Sequence, residues 1–197
     1  MRVIIASGLS GNEKKRTIFA IAKDIAAKGS NLAVVLTEAD EHDVKSEIID
    51  VPGIHPREMI SSCVPCSFQF DLINEIEKIR KIPDVEFIII ELPFSSIPND
   101  IQEALENMNY EDMTFAPLLY VIDAKQMESS ITKIPKLIKT QITNSQILSI
   151  NTDDASAEKI SALSSTLKDM NPSANVVDFS LNSKGQDFEN LISLFNN

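Results

Sequence analysis

Short apolar runs alternate with stretches of helical periodicity along almost the whole chain. The runs are rich in β-branched residues and are bounded by polar residues or glycine, which is typical of strands buried on both faces. We predict strands over residues 3–6, 31–36, 85–92, 118–123, 146–150 and 175–179. This alternation predicts an α/β fold, with a mostly parallel sheet of six or seven strands and helices on both faces.

The stretches between the runs repeat apolar residues every three or four positions, as amphipathic helices do. The first helix ends near Lys28 and Gly29, and its periodicity places Lys15, Arg16 and Lys23 on the polar face. Further helices are predicted over residues 68–81, 97–107, 130–142, 154–170 and 185–195, the third of them entered at or just before Pro135.

A long irregular segment at about residues 37–67 interrupts the alternation. It begins with the acidic run TEADEHD and continues through the turn-forming residues Pro52, Gly53 and Pro56. Long loops inside compact domains are often functional. We therefore expect a functional segment here, with a short helix or a hairpin inside it.

Composition narrows the classes of protein. The 197 residues, 43% of them hydrophobic, suffice for one core, so we expect a single domain over residues 1–197. A net charge of −11 opposes nucleic acid and anionic membranes as partners. No apolar stretch approaches the length of a membrane helix, and we expect a cytoplasmic protein. The two cysteines, Cys63 and Cys66, are too close to close a useful disulfide loop, and are metal ligands, redox groups or packing residues.

The loop after the first strand, GLSGNEKK, stands where a phosphate-binding loop begins a nucleotide-binding domain. Such a loop has the pattern G-x-x-x-x-G-K-[ST]. Counted from Gly8, Glu13 replaces the second glycine, Lys14 keeps the lysine, and Lys15 replaces the hydroxyl residue that holds magnesium. Alternatively, the serine at position 10 and Glu13 form an ordinary capping box. The three cations from Lys14 to Arg16 oppose the helix dipole unless an anion lies beside them. That anion is either a bound phosphate or the carboxylate of Glu13, and we favour the carboxylate.

Seven segments, most of them at a strand's carboxyl end, resemble motifs of one family. They are VIIASGLSGNEKK, VVLTEADE, SSCVPCSFQFDL, IIIELPFSSIP, YVIDA, ILSINTDD and FSLNSKGQDFENL. In this order the chain resembles the P-loop GTPases of the CobW, HypB and UreG group, which handle metals such as zinc, nickel and cobalt for metalloproteins and cofactors. The resemblance implies a P-loop NTPase-like fold with one GTPase-like domain, in which residues 37–67 form a metal or switch segment.

The resemblance also implies a nucleotide site. Its cofactor-binding residues would be Gly8, Gly11 and Lys14 in the first loop, Asn151 and Asp154 in the base-recognition segment, and Ser180 in the closing segment. Glu91 is the candidate catalytic carboxylate, unless it pairs with Lys14 or caps the next helix. Two departures concern bound groups: Phe94 stands at the glycine that approaches the γ-phosphate, and Thr152 stands at the base-stacking lysine.

A metal site is implied in the same way. Cys63 and Cys66 match a cysteine motif of the family, and Glu38 matches a glutamate that the family has after its second strand. Zinc, nickel or cobalt is the expected metal. Two thiolates fall short of the four ligands of a structural zinc site, so neighbouring acidic or histidine side chains, or a second subunit, would have to complete it.

Because the departures concentrate at the phosphate contacts, we expect weak or absent GTP hydrolysis and little use of GTP and magnesium. The expected function is that of a degenerate family member, which acts as a metal-handling or regulatory partner of a client in metalloprotein or metal-cofactor assembly. A homodimer is one expected oligomeric state. One alternative is an active GTPase or ATPase metallochaperone with an altered phosphate loop. The other is a non-catalytic interaction subunit.

Overall fold

A computed structural model describes residues 1–9, 11–38, 46–59, 68–127 and 132–195. Its strands are β1 (Arg2–Gly8), β2 (Asn31–Leu36), β3 (Ile54–Glu58), β4 (Val85–Glu91), β5 (Thr114–Phe115), β6 (Leu119–Asp123), β7 (Ile147–Asn151) and β8 (Asn175–Phe179). Its helices are α1 (Asn12–Ala27), α2 (Ser46–Ile49), α3 (Phe68–Ile79), α4 (Pro98–Glu106), α5 (Lys136–Asn144), α6 (Ala157–Met170) and α7 (Gln186–Ser193).

The strands form one sheet in the order β3-β2-β4-β1-β6-β7-β8, and β5 pairs with the first residues of β1. Every pairing among the described strands is parallel. The predicted α/β fold with a mostly parallel sheet is therefore confirmed. Because the strands run the same way, the loops after β1, β2, β4, β6, β7 and β8 all leave from one edge of the sheet, where open α/β sheets bind ligands.

Alternating side chains of each strand serve two cores. Ile4 and Ala6 of β1 pack with α1 and α7 on one face, while Val3 and Ile5 pack with α3 and α4 on the other. The second face continues under α5 and α6 around Tyr120 of β6. Both faces of the sheet are covered, which explains why the central strands are almost wholly apolar.

The structure differs from the sequence prediction chiefly in two added strands and in the start of one helix. Two short strands, β3 and β5, raise the strand count to eight. β3 contains Pro56, which we had expected in a turn; it is an edge strand that pairs only with β2, where a missing N–H is tolerated. Helix α5 begins at Lys136 with Pro135 as its N-cap, so the predicted entry at Pro135 is confirmed, whereas the predicted range from residue 130 is too long, because residues 132–134 are not helical.

No helix within the described ranges has the length and apolarity needed to cross a bilayer.

Candidate functional site

Gly8 ends β1 where the first loop leaves the sheet. A Cβ atom at this position would lie 2.6 Å from the carbonyl oxygen of Val121 in β6, so the close approach of the two strands requires glycine. Gly11 is the N-cap of α1 with a φ of 138°, and a Cβ there would meet nothing within 4 Å. The two glycines therefore have different roles: Gly8 permits packing against β6, and Gly11 permits the turn into the helix.

Lys14 points from the first turn of α1 into a cluster of acceptors at the ends of neighbouring strands. Its Nζ donates to Glu38 Oε2 at 3.1 Å and to the carbonyl of Leu92 at 2.9 Å. Nζ also lies 3.7 Å from Glu91 Oε1. The Lys14 side chain is 1% exposed, so its charge is balanced by carboxylates of the protein itself.

Glu91, the last residue of β4, is completely buried. Its Oε2 accepts hydrogen bonds from the backbone N–H of Thr37 at 3.0 Å and of Glu38 at 3.4 Å. Burial raises the pKa of Glu91, against the opposing effects of Lys14, Lys15 and the Thr37 amide. Its Oε1 accepts no hydrogen bond from the described residues, although Lys14 lies beside it. The Glu91 carboxylate thus lies between Lys14, which the sequence analysis offered as its partner, and the backbone N–H groups of Thr37 and Glu38.

Lys15 is buried, although helical periodicity had placed it on the polar face. Its Nζ donates to the carbonyl of Glu38 and lies 3.9 Å from Glu91 Oε2. Lys14 and Lys15 are therefore clustered with the carboxylates of Glu38 and Glu91 at the carboxyl ends of β2 and β4.

Glu13 lies in the first turn of α1, at the position of the second glycine of a phosphate loop. One carboxylate oxygen accepts from Arg16 and the other from Asn151 Nδ2, each at 2.6 Å. The hydrogen bond with Glu13 raises the pKa of Arg16. Asn151, the last residue of β7, is 1% exposed, and its Oδ1 accepts from the N–H of Asp153 at 3.2 Å. The expected base-recognition asparagine is thus bound to a carboxylate of the first loop.

The loops after β7 and β8 are joined by Asp153. Its carboxylate accepts from the hydroxyl of Ser180 at 2.6 Å and from the N–H of Leu181 at 3.2 Å. The family resemblance of the sequence had indicated Asp154 and Ser180 as nucleotide-binding residues. The structure links Ser180 to Asp153, while Asp154 takes a left-handed φ of 61° and lines a cavity.

That cavity, of about 390 Å³, lies between the first loop and the loops after β6, β7 and β8. Its lining carries more carboxylates than cations. The carboxylates are Glu13, Asp123, Asp153 and Asp154, and the cations are Arg16 and Lys125; asparagine and glutamine side chains complete it. A highly charged anion would meet a net negative lining there.

The loop after β4 is held from three sides. The N–H of Phe94 donates to Glu38 Oε1 at 2.9 Å, and Lys14 binds the carbonyl of Leu92. From α5, the fully buried Gln141 donates its Nε2 to the carbonyls of Phe94 at 2.7 Å and of Ser96 at 2.8 Å. Sequence analysis missed Gln141, since a polar residue on a helix carries no signal of an inward orientation.

Of the three expected metal ligands, the structure describes Glu38 alone. Cys63 and Cys66 lie outside the described residues, and Glu38 lies beside Lys14. Within the described ranges, no three His, Cys, Asp or Glu side chains are arranged to hold a metal ion.

This chain resembles a known protein family in sequence and solved structures in fold. A family model described as "CobW/HypB/UreG, nucleotide-binding domain" matches residues 2–178. A sequence comparison with curated proteins finds no match.

Solved structures share the fold. The hydrogenase maturation factor HypB from Archaeoglobus fulgidus gives a TM-score of 0.68 at 14% identity, covering 98% of this chain and 89% of that one. HypB from Helicobacter pylori in complex with nickel gives 0.60 at 12% identity, covering 97% and 84%. The zinc-bound YjiA GTPase of E. coli gives 0.58 at 16% identity and covers 95% of this chain, which spans only 61% of YjiA.

Proposed function

The chain belongs to the CobW/HypB/UreG family, and we propose that it acts as a metal-handling or regulatory partner in metalloprotein or metal-cofactor assembly, with weak or absent GTP hydrolysis. The match to the family's nucleotide-binding domain over residues 2–178 supports the metal-handling part. The contacts of the first loop support the part that concerns GTP.

The observation that carries the proposal is the position of Glu13. Its carboxylate lines the cavity beside the first loop and accepts hydrogen bonds from Arg16 and Asn151, each at 2.6 Å. A nucleotide would have to bring its phosphates past this negative charge and break the contact of Asn151. Phosphate loops bind phosphate through inward-facing N–H groups, and a fixed carboxylate opposes that binding.

The residues also do not fit bound magnesium. The loop position that supplies a hydroxyl ligand is occupied by Lys15, whose ammonium group lies 3.9 Å from Glu91 Oε2. A cation at this place repels a divalent metal ion. Without the hydroxyl and with Lys14 paired inside the protein, the usual means of neutralising a transferring phosphoryl group are missing.

An active GTPase or ATPase with an altered loop is the second candidate. It would use Lys14, Lys15 and Arg16 in place of glycine amides and magnesium. The contacts weigh against it, because Arg16 is bound to Glu13 and Lys14 to Glu38. The third candidate, an interaction subunit that binds neither metal nor nucleotide, is separated from the first by metal binding alone.

We propose that Cys63 and Cys66 supply thiolate ligands for zinc, nickel or cobalt, which is cargo rather than a resident cofactor. Thiolates suit these metals. Two relatives of the same fold, E. coli YjiA and H. pylori HypB, were solved with zinc and with nickel. Glu38 would join such a site only by exchanging its contact with Lys14, which is 3.1 Å away.

We therefore expect the protein to bind about one equivalent of Co²⁺ or Zn²⁺. Cobalt should give a thiolate charge-transfer band that is lost in Cys63→Ser and Cys66→Ser, because a serine hydroxyl is a poor ligand for these metals. Glu103→Ala, an exposed change on α4 outside residues 37–67, is the control, and it should retain the band. If the wild-type protein gives no band and no calorimetric signal with either metal, the metal-handling proposal is wrong.

Nucleotide binding is tested independently. Calorimetry with about 1 mM GTP, GDP or ATP and magnesium should show no measurable heat of binding, because Glu13 opposes the phosphates. A dissociation constant in the micromolar range for any of the three would contradict this and favour the active enzyme. The metal result would be unaffected.

A further inference from the structure

Lys14, Glu38 and Phe94 form a three-residue contact, which we name the Glu38 latch. Glu38 Oε2 accepts from Lys14 Nζ at 3.1 Å, and Oε1 accepts from the N–H of Phe94 at 2.9 Å. One carboxylate thereby connects the first loop, the loop after β2 and the loop after β4.

These two donors have a known use in nucleotide-binding proteins. The lysine of a phosphate loop reaches the outer phosphates of the nucleotide. In GTPases, two loops beside the phosphate site are ordered by contacts with the γ-phosphate and are released after hydrolysis. Lys14 stands at that lysine, and Phe94 lies in the loop directly after β4.

We infer that the carboxylate of Glu38 takes the place of a terminal phosphate and holds the loops after β2 and β4 together without any nucleotide. A carboxylate shares with a phosphate a negative charge and two acceptor oxygens. This inference rests on the proposed function in one respect, namely that the first loop holds no nucleotide in the working protein.

Further contacts hold the described residues on both sides of the latch. On the β2 side, the N–H and the hydroxyl of Thr37 each bind Glu91, both at 3.0 Å. On the β4 side, Gln141 binds the carbonyls of Phe94 and Ser96. The Glu38 latch joins these two sides, because its carboxylate binds Lys14 and the N–H of Phe94.

The side chain of Phe94 adds a further restraint. It packs against the core between the sheet and helices α5 and α6. A glycine at this position would leave the loop free to move, whereas Phe94 anchors it by burying apolar area.

Hydrogen exchange of the Phe94 amide, followed by NMR on the full chain without nucleotide, tests the latch. The wild-type amide should be protected, and Glu38→Ala should increase its exchange rate by about tenfold to a hundredfold, as expected for loss of a charge-assisted hydrogen bond. Glu38→Gln should give a smaller increase, because its amide oxygen still accepts from Phe94. The central-strand amide of Ile89 should be unaffected, and Glu103→Ala, an exposed change on α4, is the control.

Three results would overturn the inference: an unprotected wild-type Phe94 amide, no change in both Glu38 variants, or a further tenfold slowing when about 1 mM magnesium GTP is added. If Glu38→Ala does not fold, Glu38→Gln decides. A protein that binds GTP in calorimetry but keeps a protected nucleotide-free Phe94 amide would refute the proposed function, while showing that Glu38 still holds the loop after β4 when no nucleotide is bound. An unprotected amide with no GTP binding would do the reverse.

Discussion

Lys14→Met should lower the free energy of unfolding by about 3 to 4 kcal/mol, although no ligand is involved. Lys14 and Glu91 are buried to within 1% of complete exclusion from solvent, with 3.7 Å between Nζ and Oε1. Removing one partner of a buried ion pair leaves the other charge uncompensated, which costs about 3–5 kcal/mol. Methionine fills a similar volume, so the loss would report the charge rather than a cavity.

The same cluster offers a rescue. Burial raises the pKa of Glu91 because it disfavours the charged carboxylate, and the positive charge of Lys14 partly offsets that effect. In Lys14→Met, replacing Glu91 by glutamine as well should recover part of the lost stability, because it removes the excess buried negative charge, although the buried Lys15 then loses the carboxylate 3.9 Å from its Nζ. Urea unfolding followed by circular dichroism measures all four members of this double-mutant cycle.

Lys136→Met, an exposed change at the start of α5, is the matched control and should leave the unfolding curve unchanged. A loss of less than about 1 kcal/mol in Lys14→Met, or no recovery in the double variant, would show that Lys14 is not needed to compensate Glu91. Lys14 would then be available for a phosphate, as in an active nucleotide-binding loop.

The sheet was predictable because its central strands are buried on both faces. Val85 to Leu92 and the other apolar runs leave little choice of structure, and their alternation with helices fixes a parallel sheet. β3 escaped prediction because Gly53 and Pro56 are turn formers. An edge position, which only the tertiary structure reveals, makes such a strand acceptable.

The site was less predictable, since its contacts join distant parts of the chain. The periodicity of α1 gave no reason to bury Lys15; Glu91, which compensates it, comes from β4. Similarly, nothing in the sequence pattern indicated the contact between Asp153 and Ser180, which joins the loops after β7 and β8. Local patterns place residues on an element, but the pairing of charges depends on which strand ends meet.

Glu13→Gly should give the protein measurable affinity for GTP. In the wild type, the Glu13 carboxylate lines the cavity beside the first loop and engages Arg16 and Asn151. Two unit charges about 4 Å apart repel by about 4 kcal/mol at an effective dielectric constant near 20. Removing the carboxylate should therefore tighten GTP binding by about thirtyfold or more, even if only half of that repulsion is relieved.

The variant also changes which groups are available. Glycine restores the loop pattern at position 13, Arg16 loses its bound carboxylate, and Asn151 regains a free amide group near the cavity. Glu13→Gln separates charge from space: its side-chain oxygen can still accept from Asn151, so it should show a smaller gain than glycine. Calorimetry against GTP, with ATP as the competing nucleotide, measures both variants.

Adding Lys15→Thr to Glu13→Gly supplies the missing hydroxyl, and binding should then become dependent on magnesium. Because Lys15 is buried, the double variant needs a folding check by circular dichroism, while the single variant decides the question if the double does not fold. If Glu13→Gly binds GTP no better than the wild type, the carboxylate is not what keeps the nucleotide out. The shape of the loop between Gly8 and Gly11, together with the internal pairing of Lys14, would then be the barrier.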